Sequence, residues 1–234
     1  MNALHCRRAG FSLIELLVVI SVIGILVALI IPAVGAVQAN ARKMAAASNL
    51  RQIALAYKNY SEAGGGRART IPADTAGPHE WALVLAREVG FNDPAIYILE
   101  DDDAAAAVSS DFPRVVGAPS GTDGSGEWAV DANFAAYPLS FAVVAGLSTQ
   151  APANTPLAWT RGLGATDNTW DATNGVYGGD GGHVARLDGS VTFIRDTAED
   201  GGVFVNPTNQ TPTSNAQDAL QPATARILQS SPGS

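Results

Sequence analysis

Glu15 is the first residue whose type and place could do chemistry. It is the one charge in a 21-residue apolar run from Phe11 to Ile31, FSLIELLVVISVIGILVALII. An ionisable group at that depth is costly in hydrocarbon and by default marks a functional contact with a partner. The bland reading is a glutamate near the interface that snorkels to water. The sharper one needs a cation at the same depth, which a free α-amino group made by cutting just before Phe11 would supply. The other candidates lie far downstream. His183 follows Gly181-Gly182 and stands near Asp180 and Asp188 in the sequence, so acid–base or metal work could be imagined there. His5 and His79 are remote, no second histidine sits at ligand spacing, and a structural histidine at the root of a hairpin is favoured. Glu100–Asp103 and the run from Asp167 to Asp180 offer hard oxygen ligands, with Asp167, Asp171 and Asp180 as calcium candidates. Neither run has EF-hand spacing, and solvated acidic loops are the preferred reading. Gly162-Leu163-Gly164 lacks the strand–helix setting that phosphate binding needs, and no P-loop, dinucleotide fingerprint or nucleophile elbow occurs.

The composition narrows the classes further. The chain has 234 residues, 47% hydrophobic and 15% charged, with 14 Lys+Arg against 22 Asp+Glu and a net charge of −8. An acidic chain has no general electrostatic footprint for nucleic acid, which is therefore excluded as a default partner. The lone cysteine, Cys6, excludes an intramolecular disulfide and a Cys-rich zinc site. Charge divides by segment. The leader carries Arg7 and Arg8; residues 42–60 carry Arg42, Lys43, Arg51 and Lys58 with no acid; from Ser61 on the balance is −13. The basic stem competes with Arg7 and Arg8 for the cytoplasmic side, so the positive-inside rule alone does not set orientation.

These residues need elements to position them. The apolar run is long enough to span a hydrocarbon core of about 30 Å as a helix. Beyond it the pattern stays helical, with Leu50, Ile53, Ala54 and Tyr57 on one face, until Gly64-Gly65-Gly66. A helix from Phe11 to Tyr60 would be roughly 75 Å long, more than a globular core needs. Pro32 removes one backbone hydrogen bond inside it, so a kink or local melt is expected there, eased by Gly24 and Gly35. A removable secretory signal would also place basic residues before an apolar run. This run is longer, and Pro32-Ala33-Val34-Gly35 is not an Ala-x-Ala-like cleavage site, which favours retention.

Arg8-Ala9-Gly10 followed by Phe11-Ser12-Leu13-Ile14-Glu15-Leu16-Leu17-Val18-Val19-Ile20 resembles the class III signal of type IV pilins and type II secretion pseudopilins. The resemblance implies that a prepilin peptidase cuts between Gly10 and Phe11 on the cytoplasmic side and methylates the Phe11 amine. It makes Glu15 the glutamate of the motif, leaves Cys6 in the discarded leader, and resolves orientation with the body exported. A lipobox reading of Cys6 fails, because the cysteine precedes the apolar run. Many type IV pilins staple the C-terminal region with a disulfide, which this chain cannot form; a pseudopilin-like or divergent pilin is implied. Ser48–Tyr60 resembles the stem end of pilin-like proteins that carry an H-x9-D-G motif. Here His183, Asp188 and Gly189 form a shortened variant with four residues between His and Asp, which locates a hairpin and assigns His183 no role. Some pseudopilins hold calcium in a body loop, which keeps calcium in view; no other cofactor is implied.

The body reads as a short helix, Pro78 to Gly90, with strand candidates at Ala95–Leu99, Leu139–Val144, Leu157–Thr160, His183–Leu187 and Ser190–Arg195. Asp188-Gly189 predicts a two-residue type I′ turn, setting Val184 against Phe193, Arg186 against Val191 and His183 opposite Ile194. The expected fold class is α+β: a long N-terminal transmembrane helix packed on a small antiparallel β-sheet body, as in pilins. Expected segments are a cleaved leader (1–10), a membrane or filament-core helix (11–36), an amphipathic stem (37–63), a periplasmic or extracellular body (64–205) and an extended or disordered Pro/Thr/Ser-rich tail (206–234). The resemblance implies a non-enzymatic, single-pass inner-membrane subunit. Its implied partners are the prepilin peptidase, copies of itself or other pilin-like subunits, an inner-membrane assembly platform and the lipid bilayer. Two alternatives stay open: an anchored binding or enzymatic domain that does not assemble, and a soluble exported protein that loses its first 36 or so residues.

Overall fold

The computed structural model describes residues 12–65, 68–100, 102–120, 126–164, 168–199 and 202–230. Cys6, Gly10, Phe11 and Asp167 lie outside the described residues. The first element, α1, is a single helix over Leu13–Glu62, running unbroken through Gly24, Pro32 and Gly35. The chain forms two compact units, Met1–Met44 and Ala45–Ser234.

In the first unit, Leu13–Ile31 is long and apolar enough to cross a membrane, and none of it is buried against other parts of the chain. Ser21 would interrupt this apolar surface, but its hydroxyl donates to Leu17 O at 2.8 Å, which satisfies it within the helix.

The second unit is an α+β body. The stem face anticipated from spacing is buried: Leu50, Ile53, Ala54 and Tyr57 belong to the apolar core. Burying side chains of this size is worth roughly 1.5–3 kcal/mol each for Leu and Ile. Helix α2, Pro78–Val89, starts with proline at its first position and ends at Gly90, whose φ of +71° makes the left-handed cap. Its Trp81 links layers. The indole stacks on Tyr57 at 5.9 Å between centroids, and Nε1 donates to Val144 O at 2.9 Å. The stem, α2 and the sheet therefore share one core.

After α2 come α3 (Asp103–Ala106), the antiparallel pair β1 (Gly117–Pro119) and β2 (Trp128–Val130), and α4 (Ala132–Ala136). The main sheet is antiparallel, formed by β3 (Phe141–Ala145), β4 (Pro156–Thr160), β5 (Gly182–Arg186), β6 (Val191–Ile194) and the late β9 (Arg226–Leu228), in the order β6-β5-β4-β3-β9. Every residue of β3 and β4 is buried, which explains their near-continuous apolar character. A small hairpin, β7 (Phe204–Val205) with β8 (Pro212–Thr213), precedes β9.

Three expectations need correction. Ala95–Leu99 is not a strand: Pro94–Ile96 is a 3-10 turn, capped by Asp93, whose carboxylate accepts from Ala95 N–H at 3.0 Å. Proline's fixed φ and this cap favour the turn, while Tyr97 and Ile98 are still buried from it. The β5–β6 register is shifted by one, with His183 opposite Phe193, Val184 opposite Thr192 and Ala185 opposite Val191. Of the residues in this turn only Gly189 takes positive φ, +81°, and Gly189 N–H donates to Arg186 O at 2.9 Å. The loop is therefore Leu187-Asp188-Gly189, one left-handed glycine closing a three-residue hairpin, whereas the I′ turn would also force Asp188 into that region. Third, residues 206–230 are not an extended or disordered tail. They contain β8, a 3-10 turn at Gln217–Ala219 and β9, and they bury Ala219, Leu220, Ala225 and Leu228. Pairing with β3, some 80 residues earlier, supplies the order that local composition lacks.

Candidate functional site at the head of the apolar helix

Ser12 and Glu15 together begin α1. Glu15 Oε2 accepts from Ser12 N–H at 2.8 Å, the glutamate half of a Ser-x-x-Glu capping box. The carboxylate thus satisfies one of the helix's orphan donors while remaining exposed. The place of Glu15 in the apolar run points to a cation at the same depth, and the structure adds a backbone partner within its own chain. The S-x-x-E spacing was visible but unused. Glu15 stands at the first turn of an exposed apolar helix, four residues after Phe11, which is outside the described residues. Gly24 has open space around its Cα.

In the body, His183 is 6% exposed and encircled by aromatic rings. Its ring meets Phe193 edge-on at 4.9 Å and Tyr177 at 5.7 Å, and Nδ1 lies 3.1 Å from the Tyr177 hydroxyl. Its backbone N–H donates to Thr160 Oγ1 at 3.1 Å. Asp188 sits in the turn at the other end of β5. Four residues lie between the two, five extended steps or roughly 16 Å, so His183, Asp188 and Gly189 mark the two ends of a hairpin strand.

Asp188 is exposed, and hydrogen bonds from the Ser190 hydroxyl and then its backbone N–H hold the carboxyl below the usual carboxylate range. A depressed folded-state pKa contributes stability that is present above the unfolded value, near 4, and is lost as pH falls through the folded value. At an exposed turn this is worth under about 1 kcal/mol. Asp188→Asn is expected to flatten that part of the acid limb in a denaturant-midpoint-versus-pH series; an unchanged limb would remove Asp188 from the account.

Of the calcium candidates, Asp171 holds its own turn. Asp171 accepts from Thr173 N–H at 2.7 Å, Asn174 N–H at 3.0 Å and Asn174 Nδ2 at 2.9 Å. Those bonds, Asn174's first, keep its carboxyl low. Asp180 N–H closes a turn to Tyr177 O at 3.1 Å. Among the described residues, no three His, Cys, Asp or Glu side chains gather as a metal-holding group.

The body's strongest electrostatic feature went unread in the sequence. Asp102, expected in a solvated acidic run, is 1% exposed and pairs with Arg161, equally buried. Arg161 Nη2 donates to Asp102 Oδ1 at 2.6 Å, Nη1 to Leu139 O at 3.0 Å and Nε to Asn174 O at 3.1 Å. Ser140 Oγ donates to Asp102 Oδ2 at 2.7 Å, and Asp102 also caps α3 through Ala104 N–H. All of these contacts are internal, so the network positions the segment before β3, the turn after β4 and the loop 170–181.

The first residues match a described family, the prokaryotic N-terminal methylation motif, over residues 5–31. No curated protein and no solved structure matches the chain. The motif covers the segment that resembles a prepilin signal, so that expectation is met, and an N-terminal apolar helix with an α+β body accords with a pilin-like fold.

Proposed function

We propose that this prepilin-like chain is cut between Gly10 and Phe11, N-methylated on Phe11, and assembled through its N-terminal helix into a type IV pilus or a secretion pseudopilus. The observation that carries the reading is the methylation motif over residues 5–31, continuous with a helix whose span Leu13–Ile31 is unburied within the chain. An apolar surface of that size needs lipid or other apolar helices around it. The bilayer covers it first; copies or other pilin-like subunits, brought together by an assembly platform, cover it next. The cut leaves Phe11 with a free amine four residues before Glu15 in the sequence, and in a bundle of copies a neighbour's amine would pair with that carboxylate. A dry bundle tolerates the two charges only as a pair.

Intact mass of protein from its own membranes tests the processing. A methyl-Phe11 start is expected. An intact Met1 would replace this reading with an anchored domain, and a start beyond Gly35 with a soluble exported one. Assembly is tested at Glu15. Stranding one charge of a buried pair costs about 3–5 kcal/mol, so Glu15→Ala should lower assembly at least about 100-fold, with processed monomer accumulating in the membrane. Glu15→Gln separates the two roles of the residue, because glutamine keeps the capping bond and loses the charge. Gln behaving like Ala supports charge pairing; Gln assembling normally reduces Glu15 to a helix cap.

A further inference from the structure

The loop joining β7 to β8 is closed by Asn206 N–H to Thr211 O and Gln210 N–H to Asn206 O, both at 2.9 Å. Thr208 to Pro212 are all exposed. This loop carries Asn209-Gln210-Thr211, the Asn-x-Ser/Thr acceptor pattern for sugar in exported proteins. The Asn209 carboxamide is already ordered by its own triplet: Oδ1 accepts from Thr211 N–H at 3.1 Å and from Thr211 Oγ1 at 2.7 Å. Nδ2 makes no hydrogen bond among the described residues and faces solvent with the loop.

A second triplet provides the contrast. Asn59-Tyr60-Ser61 lies within α1, with Tyr60 buried and its hydroxyl donating to Thr70 O at 3.3 Å. Its backbone is committed to helix and its middle residue to the core, so it cannot enter a transferase cleft. The hairpin triplet can, because its strands are two residues long and its side chains reach outward.

We infer that Asn209 is a glycan acceptor, modified after the body leaves the cytoplasm; this rests on the export in the reading above. The donor class is a lipid-pyrophosphate-linked sugar. Asn209 Nδ2 attacks the anomeric carbon, the C–N bond forms as the C–O bond to pyrophosphate breaks, the lipid pyrophosphate departs with the bonding pair, and one amide proton passes to the transferase's base. Nothing is oxidised or reduced.

The test is mass spectrometry of the protein from the membranes of its own cells. Trypsin cutting after Arg195 and Arg226 releases the triplet in one peptide, Asp196–Arg226. A sugar adduct with carbohydrate fragment ions is expected on that peptide, mapped to Asn209. It should vanish in Asn209→Gln and Thr211→Ala, persist in Thr211→Ser, and be unaffected by Asn59→Gln. A peptide found only at its unmodified mass overturns the inference, as does an adduct that survives Asn209→Gln and so belongs to another side chain of the peptide, such as a threonine hydroxyl or that of Ser214. The N-terminal peptide of the same digest reads the processing independently: methyl-Phe11 with a bare hairpin sinks the glycan alone, and an uncut N-terminus with a modified hairpin sinks the processing alone.

Discussion

Arg161→Ala is expected to destabilise the body by about 3–5 kcal/mol, a shift of a few hundred- to a few thousand-fold in the folded-to-unfolded ratio. The guanidinium is 1% exposed and gives hydrogen bonds to the Asp102 carboxylate and to two carbonyls, Leu139 O and Asn174 O. Alanine would leave that carboxylate buried with only the Ser140 hydroxyl and the Ala104 N–H as donors, and both carbonyls without their donor. The cost is that of stranding a charge, not the net worth of the pair, which could be near zero against an apolar substitute. That distinction is measurable. Arg161→Met combined with Asp102→Leu should recover much of the loss seen in either single variant, giving a large coupling in a double-variant cycle. Denaturant titration of the detergent-solubilised full chain, followed by tryptophan fluorescence, gives the numbers. Either single variant costing under 1 kcal/mol would mean that water or a shifted carboxylate compensates.

The pair also shows what could be read ahead of the fold and what could not. The N-terminal signal was legible because its chemistry is contiguous: leader, glycine, aromatic residue, glutamate and apolar run need no tertiary structure. The stem face and α2 were legible because helical spacing and a terminal glycine are local. Asp102 was not, since three adjacent aspartates look solvated until Arg161, 59 residues away, is placed against one of them. The hairpin's existence followed from Asp188-Gly189. Its register did not, because the choice between a two- and a three-residue loop turns on whether Asp188 takes positive φ, and on what His183 meets across the strand. Phe193, not Ile194, fills that place.

Ending the chain at Pro222 should unfold or aggregate the body, although residues 206–234 look dispensable by composition. The deletion removes β9, the antiparallel neighbour of β3, along with Ala225 and Leu228, both buried, and the half-buried Ile227. It also removes Ser230, whose hydroxyl accepts from Leu139 N–H at 3.1 Å beside the Arg161 network, and Ala225 O, which holds Gln217 Nε2 at 2.8 Å. Burial of Leu228 and Ile227 is worth roughly 1.5–3 kcal/mol apiece at full burial. Each lost hydrogen bond adds about 1 kcal/mol. The total is on the order of 5 kcal/mol, the same size as the whole stability of many domains. The remaining chain would also expose β3, Phe-Ala-Val-Val-Ala, as an unpaired apolar edge, the arrangement that invites strand-to-strand aggregation. Size-exclusion chromatography and limited proteolysis of the truncated chain in detergent should show aggregate or rapid digestion. Leu228→Asp in the intact chain is the finer version, placing a charge at a position that is 4% exposed, and should lower the denaturant midpoint in the same direction. If the truncated chain melts like the parent, β9 is an ornament on a sheet that β3 to β6 already complete.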